Sequence, residues 1–358
     1  MDLTELRNNI DRIDRNIVKL LNERFEYVKG VGEWKNSNSH AIYVPEREKA
    51  LLEKLESINT GPVQNTTLKA IYREVMSGAI ALEHPVKIAY LGPENTFSNQ
   101  AALLKFGKSV DYLPQNSIAE VFDNVEKGLV DYGVVPVENS TEGAVTYTLD
   151  IFAQSSCKIC AELNFRAHQY LLSKHLDPAE IKTIYSHPQA SGQCRAYLFQ
   201  KFPNAQIIEC RSTADAALKA SKEDGAAAIA SSLAAEAYAL NILEEKVEDR
   251  SHNVTRFIII SKQDTVPTGD DKTSIMFSVK DRIGALQDCL KFFSDNDISM
   301  TMIESRPSKS QEEQFNFFVD FHGHIKEETV ELLMEKLATT CQRLKHLGSY
   351  PLNKDFVG

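Results

Sequence analysis

Two cations lie on the apolar face of the first helical pattern in the chain. Arg24 and Lys35 continue an apolar series that passes through Ile17 and Leu20, and their separation of 11 residues, about three turns, places them on one face. Because an unpaired buried charge is costly, two cations that face a core require an anionic partner. As an isolated pair they would be typical of side chains whose charged ends reach solvent. Three charged residues on the next two helical patterns favour an anion-binding site instead: Arg47, Glu48 and Glu83.

Arg7 lies on the same helical pattern but too far away to join this site within one chain. It precedes Arg24 by 17 residues, which is roughly 25 Å along a straight helix. If two such helices pair in antiparallel fashion, Arg7 of one subunit reaches the Arg24 site of the other. A long amphipathic helix without cover in its own segment also favours pairing. We therefore expect a homodimer, and leave a tetramer open.

The middle of the chain carries polar residues in the turns that follow apolar strands. In open α/β sheets, ligands bind at these strand ends, where exposed amides and hydroxyls suit a carboxylate. Each stretch alone is ordinary capping and turn chemistry, and only their combination indicates a site. The stretches are residues 92–98, 135–143, 185–194 and 253–257.

Three kinds of pattern divide the chain into the elements that must position these residues. Residues 1–84 predict three helices, at about 2–36, 45–58 and 67–82. Residues 86–263 alternate short apolar strands with helices, which predicts an α/β fold. After a linker with Pro and Gly, residues 272–350 follow the ferredoxin-like order of strand, helix, strand, strand, helix, strand. We therefore expect a multidomain protein with an all-α, an α/β and an α+β domain.

Composition excludes several classes of protein. The chain has 358 residues and a net charge of −10, whereas a nucleic-acid surface needs clustered excess Lys and Arg. The first residues open directly into an amphipathic pattern, and no apolar segment could span a bilayer, so we expect a cytoplasmic protein without a membrane partner. Six cysteines in such a protein indicate reduced thiols. Cys157 and Cys160 have the spacing of half a metal site, but no second pair follows, so we expect a packing role and no metal.

The helical segment resembles the all-helical chorismate mutases at Leu6-Arg7, Glu23-Arg24, Lys35, Glu46-Arg47-Glu48 and Glu83. The resemblance implies that the arginines hold the carboxylates of chorismate, with Arg7 supplied by the partner subunit. It also implies that Lys35 and Glu83 address the ether oxygen of the breaking bond, while Glu48 binds the ring hydroxyl. Glu83 can donate to that oxygen only when it is protonated. The rearrangement needs orientation and charge stabilisation but no covalent catalysis, and we expect no cofactor.

The α/β segment resembles the prephenate dehydratases over about 86–263, most specifically at Thr255-Arg256-Phe257. These enzymes remove a ring hydroxyl and a carboxylate, so that the ring becomes aromatic. The resemblance implies that Thr255 donates a hydrogen bond to the leaving hydroxyl and that Arg256 is structural or binds an anion. Asn95 stands where glycine is usual and would suit a positive φ. The remaining prephenate contacts implied are Thr96, Ser98, Glu138, Asn139, Ser140, Ser186, Gln193 and Phe257, with Asn139 and Gln193 also counted as catalytic.

The last segment resembles the phenylalanine-binding ACT domains that accompany this dehydratase. The resemblance rests on Arg282-Ile283-Gly284-Ala285-Leu286 and Glu304-Ser305-Arg306-Pro307. A glycine at the start of a helix allows the backbone of a ligand to approach closely. ACT domains commonly bind amino acids between paired domains, which again implies a dimer. The implied effector contacts are Gly284, Ala285, Leu286, Glu304, Ser305, Arg306 and Pro307.

The three segments together predict a bifunctional enzyme of phenylalanine biosynthesis. It would rearrange chorismate to prephenate, convert prephenate to phenylpyruvate, and be inhibited by phenylalanine. The alternative is a non-catalytic sensor of amino acids or anions that kept the domains and lost the chemistry. Solute-binding proteins share the two-lobed α/β architecture, so fold alone does not decide. The presence of Arg24, Lys35, Arg47, Glu83 and Thr255 favours the enzyme. A preference for prephenate over arogenate stays open.

Overall fold

The structure, a computed structural model of the chain, describes residues 2–38, 42–250, 252–280, 282–308 and 315–358. The chain divides into two compact units. The first comprises Met1–Val44, Ala50–Val86 and Phe106–Asp111, and the second comprises Pro45–Lys49, Lys87–Lys105 and Tyr112–Gly358. No helix in the described ranges combines the length and the apolar character that a bilayer crossing requires.

The predicted three helices are present, at α1 Leu3–Ser37, α2 Pro45–Ile58 and α3 Asn65–Glu83. Asp2 caps α1, because its carboxylate accepts the backbone N–H of Glu5 at 2.8 Å. Helices α1 and α3 approach closely where one of them has a glycine. A Cβ at Gly32 would lie 3.0 Å from the Cα of Glu83, and a Cβ at Gly78 would lie 3.2 Å from the ring of Phe25.

The apolar face of the first part of α1 is exposed to solvent in a single chain, whereas Val28 further along the helix is buried. Four side chains of this exposed part keep between 44% and 55% of their surface accessible. A contiguous exposed apolar surface of this kind marks an interaction site. These side chains are Leu6, Ile10, Ile13 and Ile17.

The α/β region alternates strands with helices, as predicted, and its strands form two sheets. Its strands are β1 Lys87–Leu91, β2 Asp111–Gln115, β3 Tyr132–Asn139, β4 Gly143–Ala144, β5 Lys158–Arg166, β6 Tyr170–Ser173, β7 Thr183–Ser186, β8 Gln206–Glu209, β9 Ala226–Ala230, β10 Asn241–Glu244 and β11 Val254–Ser261. Its helices are α4 Phe97–Phe106, α5 Ile118–Lys127, α6 Thr146–Phe152, α7 Pro188–Gln193, α8 Arg195–Lys201, α9 Thr213–Ala220 and α10 Ser232–Ala237, with a 3-10 turn at Pro178–Glu180.

The C-terminal region has the predicted ferredoxin-like order, followed by one short strand that was not predicted. The elements are β12 Asp271–Ser278, α11 Ala285–Asp295, β13 Met300–Pro307, β14 Phe315–His322, α12 Glu328–Thr340, β15 Arg343–Pro351 and β16 Phe356–Val357. The antiparallel sheet has the strand order β13-β14-β12-β15. We call it the regulatory sheet.

The two α/β sheets form two lobes. The first sheet has the order β16-β5-β11-β3-β1-β2, with β4 beside β3, and the second has the order β10-β6-β9-β7-β8. Strand β11 lies in the middle of the first sheet and runs antiparallel to both β3 and β5. One apolar core joins the first sheet to the regulatory sheet, because Phe152 and Ile258 pack in the same cluster as Met276, Phe318 and Tyr350.

The paired cysteines have the predicted packing role. Cys157 and Cys160 are free and buried, and their Sγ atoms face different carbonyls, those of Phe122 and Ile259. Burial raises the pKa of both thiols.

A buried histidine makes stability depend on pH. Burial, reinforced by the Lys158 ammonium, lowers the pKa of His346 to about 4 and outweighs the Asp264 carboxylate at 3.9 Å. Because the pKa is lower in the folded state than the ordinary 6.5, the neutral form stabilises the fold above pH 6.5. This contribution, roughly 3 kcal/mol, is lost as the pH falls through 4.

We therefore expect the free energy of unfolding of His346→Gln to depend less on pH between 6.5 and 4 than that of the wild type. Urea unfolding at a series of pH values measures the difference. The control is His322→Gln, since His322 is exposed at the end of β14. Equal pH dependence in the wild type and His346→Gln would contradict the assignment.

Candidate active sites

Lys35 and Glu83 meet on the first unit, as their positions on the apolar faces of α1 and α3 predict. The Lys35 Nζ lies 2.7 Å from the Glu83 Oε2, and their side chains are only 13% and 9% exposed. The Lys35 ammonium also donates to the carbonyl of Ile42 at 2.8 Å. The close approach of α1 and α3 at Gly32 brings the end of α3 to this position. The pair therefore presents a cation and a carboxylate at one partly buried point.

Arg24 supplies a buried donor on the same helix. Its Nη1 atom is inaccessible to solvent and has no hydrogen-bond partner among the described residues. A guanidinium nitrogen without a partner is costly in a buried place, so the site favours an anionic ligand such as a carboxylate. Arg7 lies on an exposed stretch near the start of α1, and the unbroken helix keeps it away from Arg24 within one chain.

Arg47 and Glu48 lie in the first turn of α2 and belong to the second unit. Within that unit, Glu48 Oε2 pairs with the Nζ of Lys105 at 3.1 Å. Sequence reasoning missed Lys105, because nothing in its local pattern on α4 connects it with α2.

Thr255 and Asn139 face each other across neighbouring strands. The two residues are paired in register between β11 and β3, and the Asn139 Nδ2 donates to the Thr255 Oγ1 at 2.8 Å. The Oδ1 of Asn139 accepts from the backbone N–H and the hydroxyl of Thr141, which fixes the amide orientation. The Thr255 oxygen thus accepts one hydrogen bond, so its hydroxyl proton can be donated to a ligand.

A chain of side-chain amides continues from this pair. Asn139 also donates to Asn253 Oδ1 at 3.0 Å, and the Nδ2 of Asn253 donates to Gln193 Oε1 at 3.0 Å. Gln169 donates to the same Gln193 oxygen at 3.1 Å, while its own buried Oε1 has no partner among the described residues. The structure therefore brings Thr255, Asn139 and Gln193 together, as predicted. Asn253 lies in the polar stretch at residues 253–257 but was not predicted as a contact, and Gln169 has no local sequence signal.

The first predicted turn lies at the start of α4. Asn95 has a φ of 65°, which confirms the expectation that asparagine serves there as a substitute for glycine. The Thr96 hydroxyl donates to the carbonyl of Pro93 at 3.0 Å, and Ser98 is buried in the first turn. Ser231, which begins α10 in the other lobe, donates to the carbonyl of Asn95 at 3.2 Å. This contact joins the two lobes and was not predicted.

Two of the predicted serines hold backbone segments in place. The Ser140 hydroxyl donates to the carbonyl of His252 at 2.7 Å and accepts from the N–H of Val254 at 2.9 Å. Ser186 is fully buried at the end of β7, and its hydroxyl donates to the carbonyl of His187 at 3.0 Å. Both contacts fix the turns that surround the amide chain.

Arg256 and Glu138 are not brought together with Thr255. Successive residues of a strand point to opposite faces, so both side chains lie on the face opposite Thr255 and Asn139. The Arg256 guanidinium donates to Glu162 Oε2 at 2.8 Å, Asp320 Oδ2 at 2.5 Å and the Tyr350 hydroxyl at 2.7 Å. Of the two roles left open by the sequence, the geometry gives Arg256 the structural one. This geometry does not favour Arg256 as a prephenate contact, and Glu138, which is half exposed, stays a prediction from the sequence.

The third member of the motif belongs to the core. Phe257 is 2% exposed, and its ring lies 6.1 Å from that of Phe165, which lies 5.9 Å from that of Phe97. The aromatic row links β11 and β5 to the start of α4. Phe257 thus supports the site by packing, since its ring is buried between these elements.

Gly284 begins α11 with a φ of 82°, a conformation that favours glycine. A Cβ there would meet none of the described residues within 4 Å, so there is open space among them beside the turn, and the backbone conformation is what requires glycine. Ala285 and Leu286 form the first residues of the helix; Ala285 is buried, and Leu286 is partly buried against the apolar core of the regulatory sheet.

The Glu304–Pro307 motif lies on β13, the edge strand of the regulatory sheet. Arg306 pairs with the Asp150 carboxylate of α6 through two contacts of 3.3 Å. Since strand residues alternate, Glu304 shares the Arg306 face and Ser305 shares the more exposed face with Pro307. The Arg306 guanidinium thus binds the α/β domain, and its role as an effector contact stays a prediction from the sequence.

Known families match each of the three regions. The chorismate mutase type II model matches residues 6–84, the prephenate dehydratase model matches residues 88–265, and the ACT domain model matches residues 273–338. The bifunctional chorismate mutase/prephenate dehydratase of Aquifex aeolicus is 46% identical over 354 residues, or 98% of each chain. That of Pseudomonas aeruginosa is 44% identical over 355 residues, which cover 98% of this chain and 97% of the relative.

A solved structure matches the second and third regions. It is prephenate dehydratase from Arthrobacter aurescens in complex with L-Phe, with a TM-score of 0.69 and 32% identity, covering 75% of this chain and 90% of that one. The predicted fold class, the family and the two enzyme activities are thereby confirmed. The chain belongs to the bifunctional chorismate mutase/prephenate dehydratases of phenylalanine biosynthesis, with a regulatory ACT domain at its C-terminal end.

Proposed function

We propose that the two reactions use two separate sites, which Lys35 and Thr255 mark, and that phenylalanine is the effector of the ACT domain. The observation that carries the dehydratase assignment is the hydrogen bond from Asn139 to the Thr255 oxygen. The Lys35–Glu83 pair and the unpartnered Arg24 nitrogen support the mutase assignment. The domains extend over about 1–84, 86–263 and 272–350.

At the mutase site, Arg24 binds a carboxylate of chorismate, and Lys35 donates to the ether oxygen. That oxygen gains negative charge as its bond to carbon breaks, so a fixed ammonium stabilises the transition state more than the ground state. Glu83 holds the ammonium through their 2.7 Å contact and donates to the same oxygen when it is protonated. The roles of Arg47 and Glu48 stay predictions from the sequence.

At the dehydratase site, Thr255 donates its hydroxyl proton in a hydrogen bond to the departing ring hydroxyl of prephenate. The carbon–oxygen bond breaks and the hydroxyl leaves with its electron pair as hydroxide, while the pair of the carbon–carbon bond to the carboxylate moves into the ring and carbon dioxide leaves. The gain of aromaticity drives the step, so one positioned hydrogen-bond donor is enough to assist the departing hydroxyl. Asn139 orients Thr255 through its hydrogen bond to the hydroxyl oxygen. At the other end of the amide chain, Asn253 holds Gln193, which faces the substrate.

Phenylalanine binds between the Gly284 turn and the exposed face of β13 that carries Ser305. The open space beside Gly284 and the exposure of that strand face support this place. The structural relative in complex with L-Phe supports the identity of the effector. Arg306 and its partner Asp150 connect the same strand to α6 of the dehydratase domain.

The enzyme acts as a homodimer through the exposed apolar face of α1. Pairing two such helices covers that face and brings the partner's Arg7 to the Arg24 site. The free thiols support a reducing compartment, and we place the enzyme in the cytoplasm. The net charge of −10 favours neither nucleic acid nor an anionic membrane as a partner.

Purified enzyme incubated with chorismate is expected to release phenylpyruvate, with prephenate as the intermediate. Phenylalanine should inhibit the dehydration more than the rearrangement, because the regulatory sheet packs against the dehydratase domain. Separate assays from chorismate and from prephenate measure the two steps. Loss of chorismate without phenylpyruvate, or no turnover at all, would contradict the function and favour the non-catalytic sensor.

Ser305→Tyr should relieve the inhibition, because it fills the proposed effector site on the exposed face of β13. The matched control is Thr301→Tyr, an exposed position of the same strand nearer its start. Basal turnover should stay unchanged in both variants. Full inhibition of Ser305→Tyr by phenylalanine would place the effector site elsewhere.

A further inference from the structure

A buried ionic cluster connects the strand that carries Thr255 with the regulatory sheet. We call it the Arg256 cluster, and it consists of Arg256, Glu162, Lys272, Asp320 and Tyr350. Glu162 belongs to β5 of the dehydratase domain, whereas Lys272, Asp320 and Tyr350 belong to β12, β14 and β15. Each member is 9% exposed or less. The cluster therefore lies inside the interface between the two sheets.

The charges of the Arg256 cluster balance, and its oxygen atoms are saturated. Two cations face two carboxylates, since Lys272 Nζ also lies 2.8 Å from Glu162 Oε2. Ser274 donates to Asp320 Oδ1 at 2.5 Å, and the N–H of Asn353 donates to Glu162 Oε1 at 3.1 Å. Such a network is rigid, because moving one member leaves another charge buried without a partner. Its cations and carboxylates are thus paired with one another and cannot bind a ligand.

The pairing of β11 with β3 is irregular beside the point where the cluster holds β11. Strand β3 has one extra residue, Val137, opposite the step from Arg256 to Phe257, whereas Thr255 still pairs with Asn139. A bulge re-aims the side chains beside it, and a slip of one residue would turn the Thr255 hydroxyl to the opposite face. The guanidinium of Arg256, bound on three sides, fixes β11 opposite this bulge.

We infer that Arg256 is a positioning residue for dehydration, and that the regulatory sheet supplies the groups that hold it in place through Asp320 and Tyr350. The inference rests on the proposed role of Thr255. In this arrangement the regulatory domain contributes to the orientation of the catalytic hydroxyl even without effector. A change on the regulatory sheet that loosens Arg256 should then lower dehydration itself.

The test compares Tyr350→Phe with Thr273→Val in the full-length enzyme. Each variant removes one buried hydroxyl from the regulatory sheet, but among the residues that the structure describes the Thr273 hydroxyl bonds only to Gly323 and Ser349 of the same domain. We expect Tyr350→Phe to lower the dehydratase kcat about tenfold with little change in KM, since a small misplacement of a catalytic group is costly. Thr273→Val should leave kcat unchanged, and mutase activity should be unchanged in both. Equal kcat for the two variants would overturn the inference.

A second arm places Tyr350→Phe in the Thr255→Ala background. If Arg256 acts through Thr255, the added substitution should cause no further loss of kcat, because the group that it positions is already absent. A further tenfold loss would overturn the inference. Near-normal dehydration by Thr255→Ala alone would instead refute Thr255 as the hydrogen-bond donor. The experiment thus distinguishes a failure of the inference on Arg256 from a failure of the proposed function. Arg256→Lys keeps the positive charge and changes the arginine itself. Its dehydratase kcat should also fall in the wild-type background and should fall no further in the Thr255→Ala background.

Discussion

Replacement of Thr255 by alanine should lower phenylpyruvate formation from prephenate by about 10²-fold or more, the scale expected for a positioned proton donor. The reason is the geometry at the pair of strands: Asn139 holds the Thr255 oxygen from one side, and the alanine leaves no hydroxyl for the departing group. Rearrangement of chorismate should be unaffected, because the mutase residues lie on α1 and α3. Assays that start from prephenate and from chorismate measure the two activities in one preparation.

Thr255→Ser is the matched control for this experiment. Serine keeps the hydroxyl and loses one methyl group, so we expect most of the dehydratase activity to remain. Near-normal dehydration in Thr255→Ala would remove Thr255 from the mechanism. A loss of equal size in Thr255→Ser would show that the packing of the methyl group matters more than the hydroxyl.

Chains with Arg7→Ala and chains with Arg24→Ala should each lose mutase activity, by about 10²-fold or more, if these arginines orient chorismate. Mixing the two inactive chains should restore activity. In a mixed dimer, one site has Arg24 from one chain and Arg7 from the other, while the second site has neither. With random exchange, about a quarter of wild-type activity should return, because half of the dimers are mixed and half of their sites are complete.

The decisive measurement is mutase activity after subunits have been exchanged and mixed dimers have been isolated by two different affinity tags. A mixture of Arg24→Ala with Lys35→Ala chains serves as the control, because both residues belong to one chain's site and every mixed dimer lacks a complete site. Absence of recovery in isolated mixed dimers would show that Arg7 is not shared between subunits.

The residues that share a local pattern could be predicted from the sequence. Lys35 and Glu83 continue the apolar faces of their helices, so their meeting at 2.7 Å follows from helix periodicity and the packing of α1 on α3. Asn95 was expected to suit a positive φ, and it has one. Thr255 and Asn139 end or begin strong strands, and the sheet brings those ends together.

Contacts between distant segments could not be predicted in this way. The partners of Arg256, Glu162 and Asp320, lie 94 and 64 residues away in the sequence. No local pattern near Arg256 indicates which residues they are. Strand β2 is mostly exposed and contains a proline, so it lacks the apolar pattern that indicates a strand. Helices α6 and α7 have seven and six residues, too few for helical periodicity to emerge.

The position of β16 has a consequence for synthesis of the chain on the ribosome. Residues 356 and 357 pair with β5, so one edge of the first α/β sheet is covered by residues made almost 200 positions later. Until they emerge, β5 is an open edge on a nascent chain, and Glu162 on that strand still lacks Lys272 and Asn353. The middle domain therefore cannot reach its final structure while the end of the chain is inside the ribosome. A nascent sheet edge of this kind is a site where two growing chains can pair wrongly.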